Sequence, residues 1–97
     1  MDERDPMALL RQWQNEARLG GETAPDEVVL STVSAAGDPS ARMVSAKAIT
    51  SDGIVFGTRL GTRKVADLAA NPRCAFTFWW PSLDRSVRVA CTASALD

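Results

Sequence analysis

Histidine and tyrosine are absent from the 97 residues. Without histidine there is no Ser-His-Asp triad, no Cys-His pair and no imidazole-held metal. Cysteine is scarce. Cys74 and Cys91 lie in apolar, strand-like runs without zinc-like spacing, where a free thiol packs as a small hydrophobe. No metal site is expected. That usage reads as a reduced, intracellular setting, and the cytoplasm is the expected location. No apolar run approaches membrane length, and no signal-peptide pattern opens the chain. A net charge of -1 speaks against general nucleic-acid binding. Any chemistry must use carboxylates, Lys, Arg, hydroxyls, thiols or a borrowed cofactor.

What is present fits one modest domain spanning residues 1–97. Hydrophobic residues at 45% and charged residues at 24% describe a globular chain rather than a disordered one. Charge is unevenly placed. Residues 1–38 hold eight acids and three bases, whereas residues 39–97 hold eight bases and four acids. The acidic half reads as solubility on a helix and loops; the basic half holds the organised chemistry.

The first segment reads as a helix, with Asp5 as its cap, Pro6 in its first turn and Gly20-Gly21 as its stop. Leu9, Leu10, Trp13 and Ala17 share a face at helical spacing. Trp13 reads as packing onto a sheet, with ligand stacking as the other reading. Strand patterns follow over 27–34, 41–49, 54–58, 73–80 and 86–96. Gly37-Asp38-Pro39 and Ser51-Asp52-Gly53 turn the chain between them. Thr62 opens a short helix with Val65, Leu68 and Ala69 inward, and Asn71-Pro72 ends it. In the fourth strand Phe76, Phe78 and Trp80 share one face and Trp79 the other, as core or dimer interface. In the fifth, Val87, Val89, Cys91, Ala93 and Ala95 alternate with polar residues. The pattern predicts a mainly β fold, an antiparallel sheet curling into a barrel of about five strands. The fifth strand, running almost to Asp97, leaves an edge that invites a partner.

Residues 42–64 concentrate the cations. Arg42 and Lys47 lie five apart, so a regular strand points them to opposite faces unless a bulge turns one. They read either as solvated strand cations or as groups addressing different parts of a long ligand. Arg63 and Lys64 follow Thr62 at a helix start, where N–H groups are unpaired and the dipole disfavours cations. A bound phosphate would reverse that penalty; the other reading is two tolerated surface cations.

An ordered set of short motifs carries a likeness. It comprises Asp5-Pro6 with the following Leu, Trp and Glu-Ala, then Val-Val-Leu-Ser-Thr-Val, then Asp38-Pro39-Ser40-Ala41-Arg42-Met43-Val44. It continues through Asp52-Gly53-Ile54-Val55-Phe56, Arg63-Lys64, Leu68-Ala69-Ala70-Asn71-Pro72 and Phe78-Trp79 to Leu83-Asp84-Arg85-Ser86-Val87-Arg88-Val89. The set resembles the pyridoxamine/pyridoxine 5′-phosphate oxidase family, and it covers the N-terminal half to two-thirds of that family's chain. The resemblance implies an FMN-binding split β-barrel, dimeric, with FMN between subunits. It implies hydride transfer from a small-molecule substrate to the flavin, which oxygen reoxidises.

The resemblance also implies site residues. The family's Arg-x-x-x-x-Lys strand lines FMN, matching Arg42, Met43, Val44, Ser45, Ala46 and Lys47; Lys47 also faces substrate. An aromatic-Thr pair that contacts flavin matches Gly57-Thr58. A Ser-Arg-Lys that grips the FMN phosphate matches Thr62, Arg63 and Lys64. Arg-Gln-Val matches Arg85-Ser86-Val87. Gly57 and Ser86 therefore stand where the family has an aromatic and a Gln. No catalytic residue is assigned. Three readings follow: a flavin-dependent oxidase or reductase, a non-catalytic module holding FMN or another phosphate ligand, or a cofactor-free dimeric remnant.

Overall fold

The computed structural model describes residues 5–58 and 61–95. The chain starts with α1, Pro6–Leu19. Asp5 Oδ1 accepts from the Met7 and Ala8 N–H groups at 3.0 and 3.3 Å, satisfying donors that a helix start leaves unpaired. Gly20 donates to Glu16 O at 2.8 Å, and Gly21 then turns the chain away at φ 93, a conformation costly for other residues.

Five strands follow: β1, Glu27–Val33; β2, Pro39–Thr50; β3, Gly53–Phe56; β4, Arg73–Trp80; and β5, Arg85–Thr92. A short helix α2, Arg63–Ala70, joins β3 to β4, and a single 3₁₀ turn, Pro81–Leu83, joins β4 to β5. The strands form one antiparallel sheet in the order β3-β2-β1-β4-β5. It curls into a half-barrel, as a mainly β split-barrel reading requires. β3 and β5 are its edges.

Helix α1 packs on β2 and α2 on β1. The core between them is Leu10 and Ala17 of α1, Val28 and Leu30 of β1, Val44, Ala46 and Ile49 of β2, and Phe76, Phe78 and Trp80 of β4. Fully burying each large side chain stabilises the fold by about 1.5–3 kcal/mol. Trp80 also donates its indole N–H to Pro25 O at 3.0 Å, so its polar atom is satisfied inside. Trp13 packs at the rim of this core, with the Arg85 guanidinium 4.7 Å above its ring and Glu16 bonded to that guanidinium at 2.7 Å. The alternation of β4 is as expected: Phe76, Phe78 and Trp80 are inside and Trp79 is outside, 55% exposed.

Several expectations are corrected. β3 stops at Phe56, so Gly57 and Thr58 are exposed loop residues. β5 stops at Thr92; Ala93 still bonds back to Pro72 O at 2.8 Å, and Leu96 lies outside the described residues. The buried residue of α2 is not Val65, Leu68 or Ala69 but Asp67, 4% exposed. Val65 and Leu68 are half-buried and Ala69 is exposed. An eight-residue helix resting on the middle strand of the sheet turns one narrow stripe inward, and a satisfied carboxylate occupies it here.

Candidate functional site

Strand β2 carries most of the residues singled out above. Up to Ala46 its even-numbered residues face the core, so Arg42 shares a side with buried Val44 and Ala46. Ala46 pairs with Phe56 and Ala48 with Val55, which leaves Lys47 as the extra residue of a bulge. The bulge resets the alternation, so Lys47 and Ala48 are both exposed before Ile49 turns inward. Arg42 and Lys47 therefore face opposite sides of β2, and the bulge does not reunite them. Val44 and Ala46 have core side chains, so only their backbone can meet a ligand, and the Ala46 N–H already donates to Asp26 O at 2.8 Å. Met43 is 57% exposed on the outer face. Ser45 on that face donates to Glu27 Oε1 at 2.8 Å.

The inward Arg42 meets Asp67 of α2. Its Nη1 donates to Leu30 O at 3.1 Å and to Thr32 Oγ1 at 2.8 Å. Its Nη2 stands 3.8 Å from Asp67 Oδ2. The same oxygen accepts from Thr32 Oγ1 at 2.8 Å and lies 3.8 Å from Arg63 Nε. Two guanidinium groups thus converge on one buried carboxylate oxygen. Thr62 holds the N-cap position in extended geometry, and its carbonyl accepts from Ala66 N–H at 3.2 Å. No acid occupies the first turn of α2, where Arg63 and Lys64 sit. Arg63 is consequently not a bare surface cation: an i,i+4 partner on its own helix orients it through Nε.

Lys47 belongs to a second group. A Cβ placed on Gly57 would lie 3.7 Å from Lys47 Cε, so the lysine stem runs beside this glycine. Lys47 also lines an open cleft of about 330 Å³ with residues 23–27, Ser45 and Ala46. Two acids line that cleft, and both are engaged: Asp26 with Gln14 and Arg18, both at 2.8 Å, and Glu27 with Ser45. The cleft is therefore separate in chemistry from the cations of α2. Ser86 lies on β5, exposed and opposite Trp79, with β4 and β1 between its strand and β2.

Asp67 and Thr32 were missed in the sequence. Asp67 at i+4 from Arg63 is a readable pair, and Thr32 continues the inward alternation of Val28 and Leu30, where a hydroxyl needs a buried partner. Among the described residues no cluster of three or more Cys, Asp or Glu could hold a metal, and no helix is long and apolar enough to cross a membrane.

Residues 22–97 match the pyridoxamine 5'-phosphate oxidase family. The chain belongs to that family. Its relatives include pyridoxine/pyridoxamine 5'-phosphate oxidases of Cupriavidus necator, 46% identical over 85 residues, and of Rubrobacter xylanophilus, 43% identical over 89. These alignments cover 88% and 92% of this chain but 40% and 41% of the relatives. The chain thus spans about 40% of the length of the curated relatives it matches. A solved structure, PhzG from Burkholderia lata 383 in complex with tetrahydrophenazine-1-carboxylic acid, superposes with a TM-score of 0.91. It is 22% identical, and the match covers 96% of this chain and 46% of that one. That likeness concerns the fold: the half-barrel is the split barrel of the oxidase family.

Proposed function

We propose that this chain binds FMN in a homodimer, with the flavin at the subunit interface, and serves hydride transfer from a small-molecule substrate. One observation carries the reading: Arg63 and Lys64 occupy the first turn of α2, where the peptide dipoles favour an anion, and Arg42 stands behind them on the buried Asp67 carboxylate of the same helix. The donor set fits a phosphate monoester, which carries about -1.5 to -2 charges at neutral pH. When bound, FMN would supply the acceptor for the hydride, a task for which no residue type in this chain is suited.

The chain's own residues bind and orient. Arg63, Lys64 and the first N–H groups of α2, with Thr62 at the cap, hold the phosphate. Arg42, turned inward, adds charge behind it. The exposed edge from Met43 through Ser45, with the backbone of Val44 and Ala46, lies along the ligand. Gly57 and Thr58 border it, and the exposed ammonium of Lys47 is available to an anionic group of the substrate. Ser86 belongs to the flavin-lining set by its place in the family motif, with a hydroxyl where the family has the longer Gln amide. Met43 and Trp79, both more than half exposed on the outer face, are apolar surface that a second copy would cover. A cytoplasmic setting belongs to this reading and is supported by the free thiols of Cys74 and Cys91.

A second reading keeps the phosphate site without turnover. Gly57 and Ser86 favour it, since neither can stack on or hydrogen-bond a flavin as an aromatic or an amide would. Titrating FMN into the purified protein, with flavin fluorescence and light scattering recorded together, tests both. Saturable binding by a dimer supports the proposal. Saturable binding without reduction of the flavin by any of a panel of amine and alcohol substrates selects the second reading. No binding at high FMN overturns the proposal and leaves, of the second reading, only a site for a different phosphate ligand.

A further inference from the structure

We propose that Asp67, together with Thr32, is a positioning residue that orients the guanidinium groups of Arg42 and Arg63 toward a phosphate-bearing ligand. The inference rests on the anion site proposed above. A carboxylate beside an anion site is on simple Coulomb grounds a disadvantage. Its placement here argues for another role. Asp67 is the buried residue of α2, and its Oδ2 is met at once by Thr32 Oγ1, Arg42 Nη2 and Arg63 Nε. Arg63 approaches through Nε at 3.8 Å, and its side chain is 61% exposed, so the guanidinium is held at one end and still open to a ligand.

A free arginine side chain loses substantial rotamer freedom when a ligand immobilises it. Asp67 removes part of that loss before binding. Thr32 completes the arrangement as a relay: it donates to Asp67 and accepts from Arg42, both at 2.8 Å, so one hydroxyl fixes the acid and the base relative to each other. Removing the negative charge alone should therefore weaken phosphate binding, the opposite of what simple repulsion requires.

The test uses Asp67→Asn, which keeps the side chain's size. FMN and riboflavin are titrated into wild type and variant, and the ratio of their affinities is read. A structural defect lowers both; loss of positioning lowers FMN alone. The expected result is a fall of about tenfold in FMN affinity, with riboflavin unchanged, corresponding to one lost charge-assisted contact. Thr32→Val should reproduce part of it, and Thr32→Ser should restore the wild-type ratio. If Asp67→Asn does not fold by circular dichroism, the two Thr32 variants carry the test. An FMN affinity that rises in Asp67→Asn, or an unchanged ratio in every folded variant, overturns the proposal.

A ligand-free readout separates this failure from failure of the FMN reading. In wild type the Arg42 Nη2–H and Arg63 Nε–H resonances, the groups that face Asp67, should exchange with solvent more slowly than those of the exposed arginines, and in Asp67→Asn that protection should drop. Protection that is equal in the two proteins overturns the positioning role whether or not FMN binds. Wild type that binds neither flavin, with protection lost in the variant, leaves Asp67 as the orienting group and removes FMN as the ligand.

Discussion

Thr32 Oγ1 donates to Asp67 Oδ2 at 2.8 Å, joining the middle strand of the sheet to α2 across 35 residues of sequence. Both groups are nearly inaccessible to water, so neither has a solvent substitute for the other. Replacing Thr32 by Val keeps the shape and removes the hydroxyl. Asp67 then loses the Thr32 hydroxyl as a donor, and Arg42 Nη1 keeps only Leu30 O as an acceptor. Urea denaturation should show a loss of about 1–3 kcal/mol. Thr32→Ser should lose well under half of that. A Thr32→Val protein as stable as wild type would mean that the contact contributes nothing to the fold.

Gly57→Tyr tests the space beside Lys47. A Cβ at this position meets Lys47 Cε at 3.7 Å, an ordinary contact. The protein should fold with a melting temperature close to wild type and bind FMN as well or better. Unfolding or loss of binding would mean that the gap is occupied in the working protein by another group.

Trp80→Phe removes the donor to Pro25 O and part of a side chain that packs 5.2 Å from the Phe78 ring. The carbonyl is left unpaired inside and a small void opens. The expected cost is about 2–4 kcal/mol by chemical denaturation. A cost near zero would show that water reaches Pro25.

The two thiols make a prediction about alkaline pH. Cys74 lies directly opposite Cys91 in the β4·β5 ladder. Burial first, then the neighbouring Cys91, pushes the Cys74 thiol up to about 11. Burial also raises Cys91, partly offset by its bond with Cys74. A folded-state value above the unfolded one means that the folded chain retains a proton the unfolded chain loses. That stability is fully present below the ordinary cysteine range and is lost as pH rises toward about 11. Comparing wild type with Cys74→Ala by denaturation between pH 8 and the alkaline limit isolates the effect, because lysine and arginine titration is common to both. Wild type should lose stability faster than the variant. Parallel curves, or thiolate absorbance rising in the ordinary cysteine range, would contradict the assignment.

Much of the scaffold was legible because its signals are local. Asp5, Pro6 and Gly20-Gly21 bound α1 by cap chemistry alone, and the alternation of Phe76, Phe78 and Trp80 fixed the inner face of β4. The likeness to the oxidase family gave the split barrel, which the match over residues 22–97 bears out. The rest depended on partners distant in sequence. Asp67 carries no local signal of burial, because its burial is made possible by Thr32 and Arg42 on two other elements. The bulge at Lys47 carries no glycine or proline to announce it, and it follows from how β3 pairs beyond Ala46. The partner of Arg63 at i+4 lies on a helix face that apolar periodicity does not mark as inner, so the pair is readable only as a charge spacing.

The central claim is a phosphate site at the start of α2, and the most direct measurement compares FMN with riboflavin on wild type and on Arg63→Ala/Lys64→Ala. Wild type should bind FMN saturably. The double variant should weaken FMN by about a hundredfold or more, the loss expected for two charge-assisted contacts, while riboflavin binding stays as it was. FMN affinity that is the same in both proteins would contradict the account.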